Sequence, residues 1–85
     1  MASQDQISLA KGSIAEVLKL DPAALSPESG AGDFAEWDSL GHLIVVSALE
    51  ARFGVTFTTD EILNARTVAD FDALLETRSV GNRQP

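Results

Sequence analysis

The chain has 85 residues, 45% of them hydrophobic and 22% charged, enough for one folded domain around a single shared core. It has no cysteine, one histidine and no clustered carboxylate loop, which excludes a disulfide framework, a thiolate nucleophile and a credible zinc or calcium site. Thirteen acidic against six basic residues give a net charge of −7, which disfavours nucleic acid and anionic membranes and favours partners with basic docking patches.

The first predicted helix runs from about Gln4 to Lys19. Ile7, Ala10, Ile14, Val17 and Leu18 recur at helical spacing, Ser3 and Gln6 fit a capping box, and Asp21-Pro22 is read as the stop. A long connection from Pro22 to Asp38 follows, rich in proline, glycine and serine. Ser26-Pro27-Glu28 could start a short turn in it, and Leu25, Phe34 and Trp37 are too apolar for a free linker, so they should pin the loop across the core.

The second helix is predicted from Ser39 to Phe53, with Gly54 as its stop. Its main apolar stripe is read as Leu43, Val46, Leu49 and Phe53, with Leu40, Val45 and Ser47 off that stripe. Gly41 is costly in a first turn unless another surface must approach closely there.

Val55-Thr56-Phe57 reads as an extended connector with Val55 and Phe57 pointing inward. Thr58 and Glu61 form a capping box for a short helix to Asn64; Thr67 with Asp70 opens the last helix, whose stripe is Val68, Phe71, Leu74 and Leu75. Phe53, Phe57 and Phe71 are core by default, a bulk that suggests a well-filled interior. The architecture expected is all-α: a small, mostly antiparallel four-helix bundle of three main helices and one short one. One domain is expected over residues 1–85, ordered from about 4 to 78, with Ser79–Pro85 a frayed polar tail.

The chemistry is sparse. Ser39 and His42 neighbour each other on one helix, but no third catalytic partner, phosphate loop or dinucleotide turn accompanies them, so autonomous catalysis is not expected. The stretch Trp37-Asp38-Ser39-Leu40-Gly41-His42-Leu43 instead places one serine hydroxyl at a helix start, among unpaired amides and the positive end of the helix dipole, where a phosphate is tolerated. The plain alternative is that Asp38 and Ser39 only cap the helix.

With the helix-two ending Ala48–Val55, the Thr67-Val68 start of the last helix and the long loop after helix one, Asp38-Ser39-Leu40 resembles the acyl carrier protein family over roughly Ile7 to Glu76. The resemblance implies that Ser39 carries 4′-phosphopantetheine, attached by a phosphopantetheinyl transferase from coenzyme A with magnesium. It also implies a thioester-borne acyl cargo, presented to acyl-loading and acyl-transferring enzymes by a chain that catalyses nothing itself. Candidate partner contacts are Asp38, Leu40, His42, Ile44, Glu50, Asp60 and Glu61. Leu40 and Ile44 could equally turn inward, and His42 is expected as an exposed surface residue.

Acidic residues that fatty-acid carriers place along helix two are replaced here by Gly41, His42 and Ile44, leaving Glu50 as that helix's acid. This departure resembles carriers of specialised pathways. The competing readings are an aminoacyl or peptidyl carrier and an unmodified acidic helical adaptor. The N-terminus lacks the basic start and apolar stretch of a secretory signal and no apolar run is long enough to span a bilayer, so a cytoplasmic protein is expected. The starting methionine and short tail make a free-standing chain the expectation, and a monomer is expected.

Overall fold

The computed structural model describes residues 8–83, which form four α-helices and one short 3-10 turn, with no strand among the described residues. The helices are α1 (Lys11–Leu18), α2 (Ser39–Phe53), α3 (Thr59–Asn64) and α4 (Val68–Arg83). The all-α, four-helix expectation holds.

The first helix is shorter than its periodicity suggests. Ser8 accepts the Lys11 amide on its hydroxyl at 2.9 Å and donates that hydroxyl to Asp72 at 2.9 Å; the same Asp72 oxygen takes the Ala10 amide at 2.8 Å. A serine side chain that captures a backbone amide competes with the helix, so residues 8–10 become a capping turn tied to α4. The expected Ser3–Gln6 box and Ile7 lie outside the described residues. Nor does Asp21-Pro22 end α1. Lys19 does, in the left-handed conformation (φ 61°), with the Lys19 and Leu20 amides turned back to Glu16 and Ala15 at 3.3 and 2.8 Å. Asp21 instead caps the 3-10 turn Pro22–Ala24, accepting the Ala23 amide at 2.9 Å, and a further turn closes from Ser29 to Ser26.

The core is built from Ile14 and Leu18 of α1, Val45, Val46 and Leu49 of α2, Phe57, and Val68, Phe71 and Leu75 of α4. Leu25 and Trp37 are buried in it and Phe34 packs against it, so the long loop is pinned as its composition predicts. Val55 and Phe57 point inward on an extended connector, while Phe53 is only partly buried. The apolar stripe of α2 is rotated from the predicted one: Leu43 is exposed and Val45 fully buried. The helix is apolar on two sides in its first half, and periodicity alone cannot choose between them.

Two loop contacts position α4. The carbonyls of Pro27 and Ser29 accept the Ala69 and Val68 amides at 3.0 and 2.9 Å, occupying first-turn donors of α4 that the helix itself cannot satisfy. Asp70 and Thr67 complete that end as the predicted reciprocal cap: Thr67 Oγ1 accepts the Asp70 amide at 3.1 Å, and Asp70 Oδ2 the Thr67 amide at 3.2 Å. The capping box of Thr58 and Glu61 on α3 is likewise present. α4 continues to Arg83, so the polar composition from Ser79 onward does not end it. Among the described residues no helix is long and apolar enough to cross a membrane.

Candidate functional site

Ser39 is the first residue of α2, and it is exposed. Two features of the sequence put it there. Asp38 adopts extended backbone and accepts the Gly41 amide at 2.8 Å, while its own carbonyl accepts the His42 amide at 2.8 Å, which starts the helix on Ser39. The preceding loop is closed on itself: Gly32 donates to the Trp37 carbonyl at 2.8 Å, Trp37 to the Phe34 carbonyl at 3.0 Å, and Asp33 takes the Gly30 amide at 2.8 Å. Gly41, which has no side chain, lets this loop lie directly on α2.

Beside Ser39 lies an open cleft of about 500 Å³. Its walls are Ala31, Gly32 and Trp37 of the loop, Asp38, Ser39, His42 and Leu43 at the start of α2, and Ile62, Leu63 and Arg66 around the end of α3. Leu43 and Leu63 are 56% and 67% exposed, so their side chains are solvent-accessible walls rather than core. Of these walls, Leu43, Ile62, Leu63 and Arg66 were not singled out by the sequence. Periodicity assigned Leu43 to the core, and α3 is too short for a helical stripe to reveal which residues face outward.

His42 is not the exposed surface residue expected. It is half-buried, with Nδ1 taking the Trp37 indole N–H at 3.1 Å and Nε2 3.1 Å from the Ile62 carbonyl. Leu40 and Ile44, which could have turned either way, are 66% and 42% exposed on the outer side of α2.

The acidic candidates divide by how far they are already occupied. Glu50 is half-buried and accepts the Phe57 amide at 2.8 Å, so it braces the connector after α2. Glu61 caps α3 and is paired with Arg78. That guanidinium, with the Thr58 amide, holds the Glu61 carboxyl below the usual glutamate range. Asp60 is exposed, on the rim of a shallower hollow between α3 and α4. Asp38 is exposed, with one oxygen engaged as the cap. The structure thus gathers Asp38, Ser39 and His42 at one cleft, sets Leu40 and Ile44 on the neighbouring helix face, and separates Glu50 from all of them.

The arrangement lacks catalytic machinery. The only imidazole, His42, spends both nitrogens on Trp37 and Ile62, which leaves none to activate Ser39. What it offers is one exposed hydroxyl on a fixed turn, at a helix start, next to an apolar cleft.

The family described as "Phosphopantetheine attachment site" matches residues 9–75, most of the chain. Among similar proteins, an acyl carrier protein from Myxococcus xanthus is 34% identical over 82% of this chain and 90% of its own length. One from Acidothermus cellulolyticus is 39% identical over 67% of this chain and 68% of its own length. Acyl carrier protein MbtL of Mycolicibacterium paratuberculosis is 31% identical over 75% of this chain and 72% of its own length. Such carriers work with a phosphopantetheinyl transferase and with biosynthetic enzymes, and are not themselves catalysts. With its helical fold, its family match and these relatives, the chain belongs to the acyl carrier proteins, which bear covalently attached 4′-phosphopantetheine.

Proposed function

We propose that Ser39 is the attachment residue and that the chain serves a specialised biosynthetic pathway in the cytoplasm, as a monomer. The observation that carries the reading is the exposed Ser39 hydroxyl on the first turn of α2, at the mouth of the cleft. The residues around it suit the group. An exposed hydroxyl can enter a transferase, a first helical turn tolerates the negative charge of a phosphodiester, and Arg66 adds a cation at the cleft. When bound, 4′-phosphopantetheine supplies the thiol that carries the acyl group as a thioester, chemistry that a chain without cysteine cannot supply itself.

The chain's own residues position and present. Asp38 and the closed loop fix where the backbone of Ser39 sits, and Trp37 anchors that loop in the core. Leu40 and Ile44 offer an apolar docking face, with Asp38 and Asp60 as the accessible carboxylates that a basic patch on a partner would meet. Glu50, Glu61 and His42 contribute to docking less directly, because each already holds an internal partner. The specialised pathway is favoured by that neutral, apolar helix face, where carriers for fatty-acid synthesis place acids.

Incubation with coenzyme A and a broad-specificity transferase, followed by intact mass, tests the assignment. A gain of one phosphopantetheine that vanishes in Ser39→Ala is the expected result. No gain with several transferases would instead favour an unmodified adaptor. The mass of protein isolated from its native cell would reveal the cargo.

A further inference from the structure

His42 stands where four parts of the chain meet. From α2, its ring lies nearly parallel to Trp37 of the loop (centroids 6.3 Å, 24° between planes) and tilted against Phe71 of α4 (5.5 Å, 50°). Its third neighbour is the Ile62 carbonyl of α3. An indole nitrogen can only donate. Nδ1 therefore presents its lone pair to Trp37, the ring proton sits on Nε2, and Nε2–H donates to Ile62.

That carbonyl is open to His42 because of how α3 ends. In a continuing helix it would accept the Arg66 amide four residues on. The Arg66 amide donates instead to Asp70 Oδ2 at 3.0 Å. His42 supplies the donor that the backbone has withdrawn. α3 has six residues, too few to keep its shape unaided. It is held at its start by the Thr58–Glu61 box, from the side by Arg78, and at its last turn by His42. Ile62 and Leu63, which this last hold places, form one wall of the cleft beside Ser39.

We propose that His42 is a positioning residue that latches α3 to α2. It thereby sets the width of the cleft in which the pantetheine arm and the first carbons of its acyl cargo rest. The proposal rests on Ser39 bearing the arm. The cleft suits such a ligand: its floor and walls are Trp37, Leu43, Ile62 and Leu63, and Arg66 is its cation.

Three variants separate a latch from general packing. His42→Gln can keep a donor for Ile62, His42→Asn can keep an acceptor for Trp37, and His42→Ala keeps neither. The first reading is amide hydrogen exchange in the unloaded chain at Ile62 and Ala65, whose amides bond to Thr58 and Glu61 at the start of α3, referenced to the buried Val46 and Leu75. In His42→Ala and His42→Asn the α3 amides should exchange about tenfold faster relative to the reference amides, and His42→Gln should restore most of the protection. The second reading is the NMR position of arm methyl and methylene signals in holo protein made with isotope-labelled coenzyme A. These should move toward their positions in free coenzyme A in His42→Ala and His42→Asn, and stay put in His42→Gln.

Equal acceleration across all four helices, or arm signals indifferent to the three variants, overturns the proposal. Should His42→Ala not fold, the contrast between His42→Gln and His42→Asn decides alone. A wild type that gains no mass with coenzyme A and several transferases overturns the attachment reading and the arm half of this one, while exchange still decides the latch.

Discussion

Gly41 lies so close to the loop before α2 that a β-carbon built on it would stand 2.2 Å from the carbonyl oxygen of Glu36. The atom met is backbone, not the tip of a flexible side chain, and a Leu18 methyl also stands 3.3 Å away. A helix that otherwise gains from alanine therefore needs glycine here, because the loop carrying Trp37 must touch it for Ser39 to sit where it does.

The glycines of α1 and α2 should respond in opposite directions to the same substitution. Overpacking costs about 1–3 kcal/mol, which at Gly41 outweighs the roughly 1 kcal/mol that alanine gains in a helix. Gly41→Ala should lower the urea midpoint and slow transferase loading by displacing the loop. Gly12 is exposed in α1 with nothing within 4 Å of the added carbon. Gly12→Ala should raise stability by up to about 1 kcal/mol and leave loading unchanged. Equal effects at the two positions would show that the loop yields freely.

That contact was half visible in the sequence. A glycine in a first turn asks for a close neighbour, but only the folded loop names Glu36. The same division runs through the chain. Local chemistry was legible: Asp38 and Gly54 bound α2, Thr58 with Glu61 caps α3, and Thr67 with Asp70 caps α4, because each is a short-range hydrogen-bond pattern. Whatever depends on distant partners was not. Ser8 starts α1 late by bonding Asp72, sixty-four residues away, and His42 turns inward because Trp37 and Ile62 receive it. The cleft walls share this difficulty. Leu43 and Val45 are both apolar, and only the packed neighbours decide which of them is buried.

Asp38 has a structural role that can be separated from any role toward partners. Asp38→Ala removes the side chain that takes the Gly41 amide and should cost about 1 kcal/mol. Asp38→Asn keeps an acceptor and should retain most of that stability. If the Asp38→Asn variant loads as fast as wild type, the carboxylate is only a cap; slower loading at equal stability marks its charge as a contact for the transferase.

Acid should loosen the capped starts of both α3 and α4. The amides of Arg66 and Thr67 hold Asp70 below the usual aspartate range, as Arg78 and Thr58 do for Glu61 below the glutamate range. A carboxyl with a lower pKa folded than unfolded adds stability above its unfolded value and loses it as pH falls through the folded one. Stability from these two groups is therefore complete near neutrality and drains away below about pH 4. Asp70→Asn and Glu61→Gln should each lower the urea midpoint at pH 7 and flatten its fall in acid, approaching wild type at the lowest pH. Curves that stay parallel to wild type throughout would deny these carboxyls their part in acid sensitivity.

The outer face of α2 sets what kind of contact a partner must make. Leu40 and Ile44 are large, exposed and adjacent, and the helix's one acid, Glu50, is committed to the Phe57 amide. Truncating exposed side chains changes folding stability by only about 0.5 kcal/mol. Covering a leucine at an interface is worth about 1.5–3 kcal/mol. Leu40→Ala and Ile44→Ala should therefore fold normally yet raise the transferase KM by about tenfold or more for each residue the partner covers. Moderate salt, which screens charges beyond about 10 Å, should change that KM far less. Charge reversal at Asp60 gives the complementary measurement. If Asp60→Lys and added salt weaken loading more than either apolar truncation, docking is led by the acidic rim and the apolar face is secondary; the reverse order assigns recognition to Leu40 and Ile44.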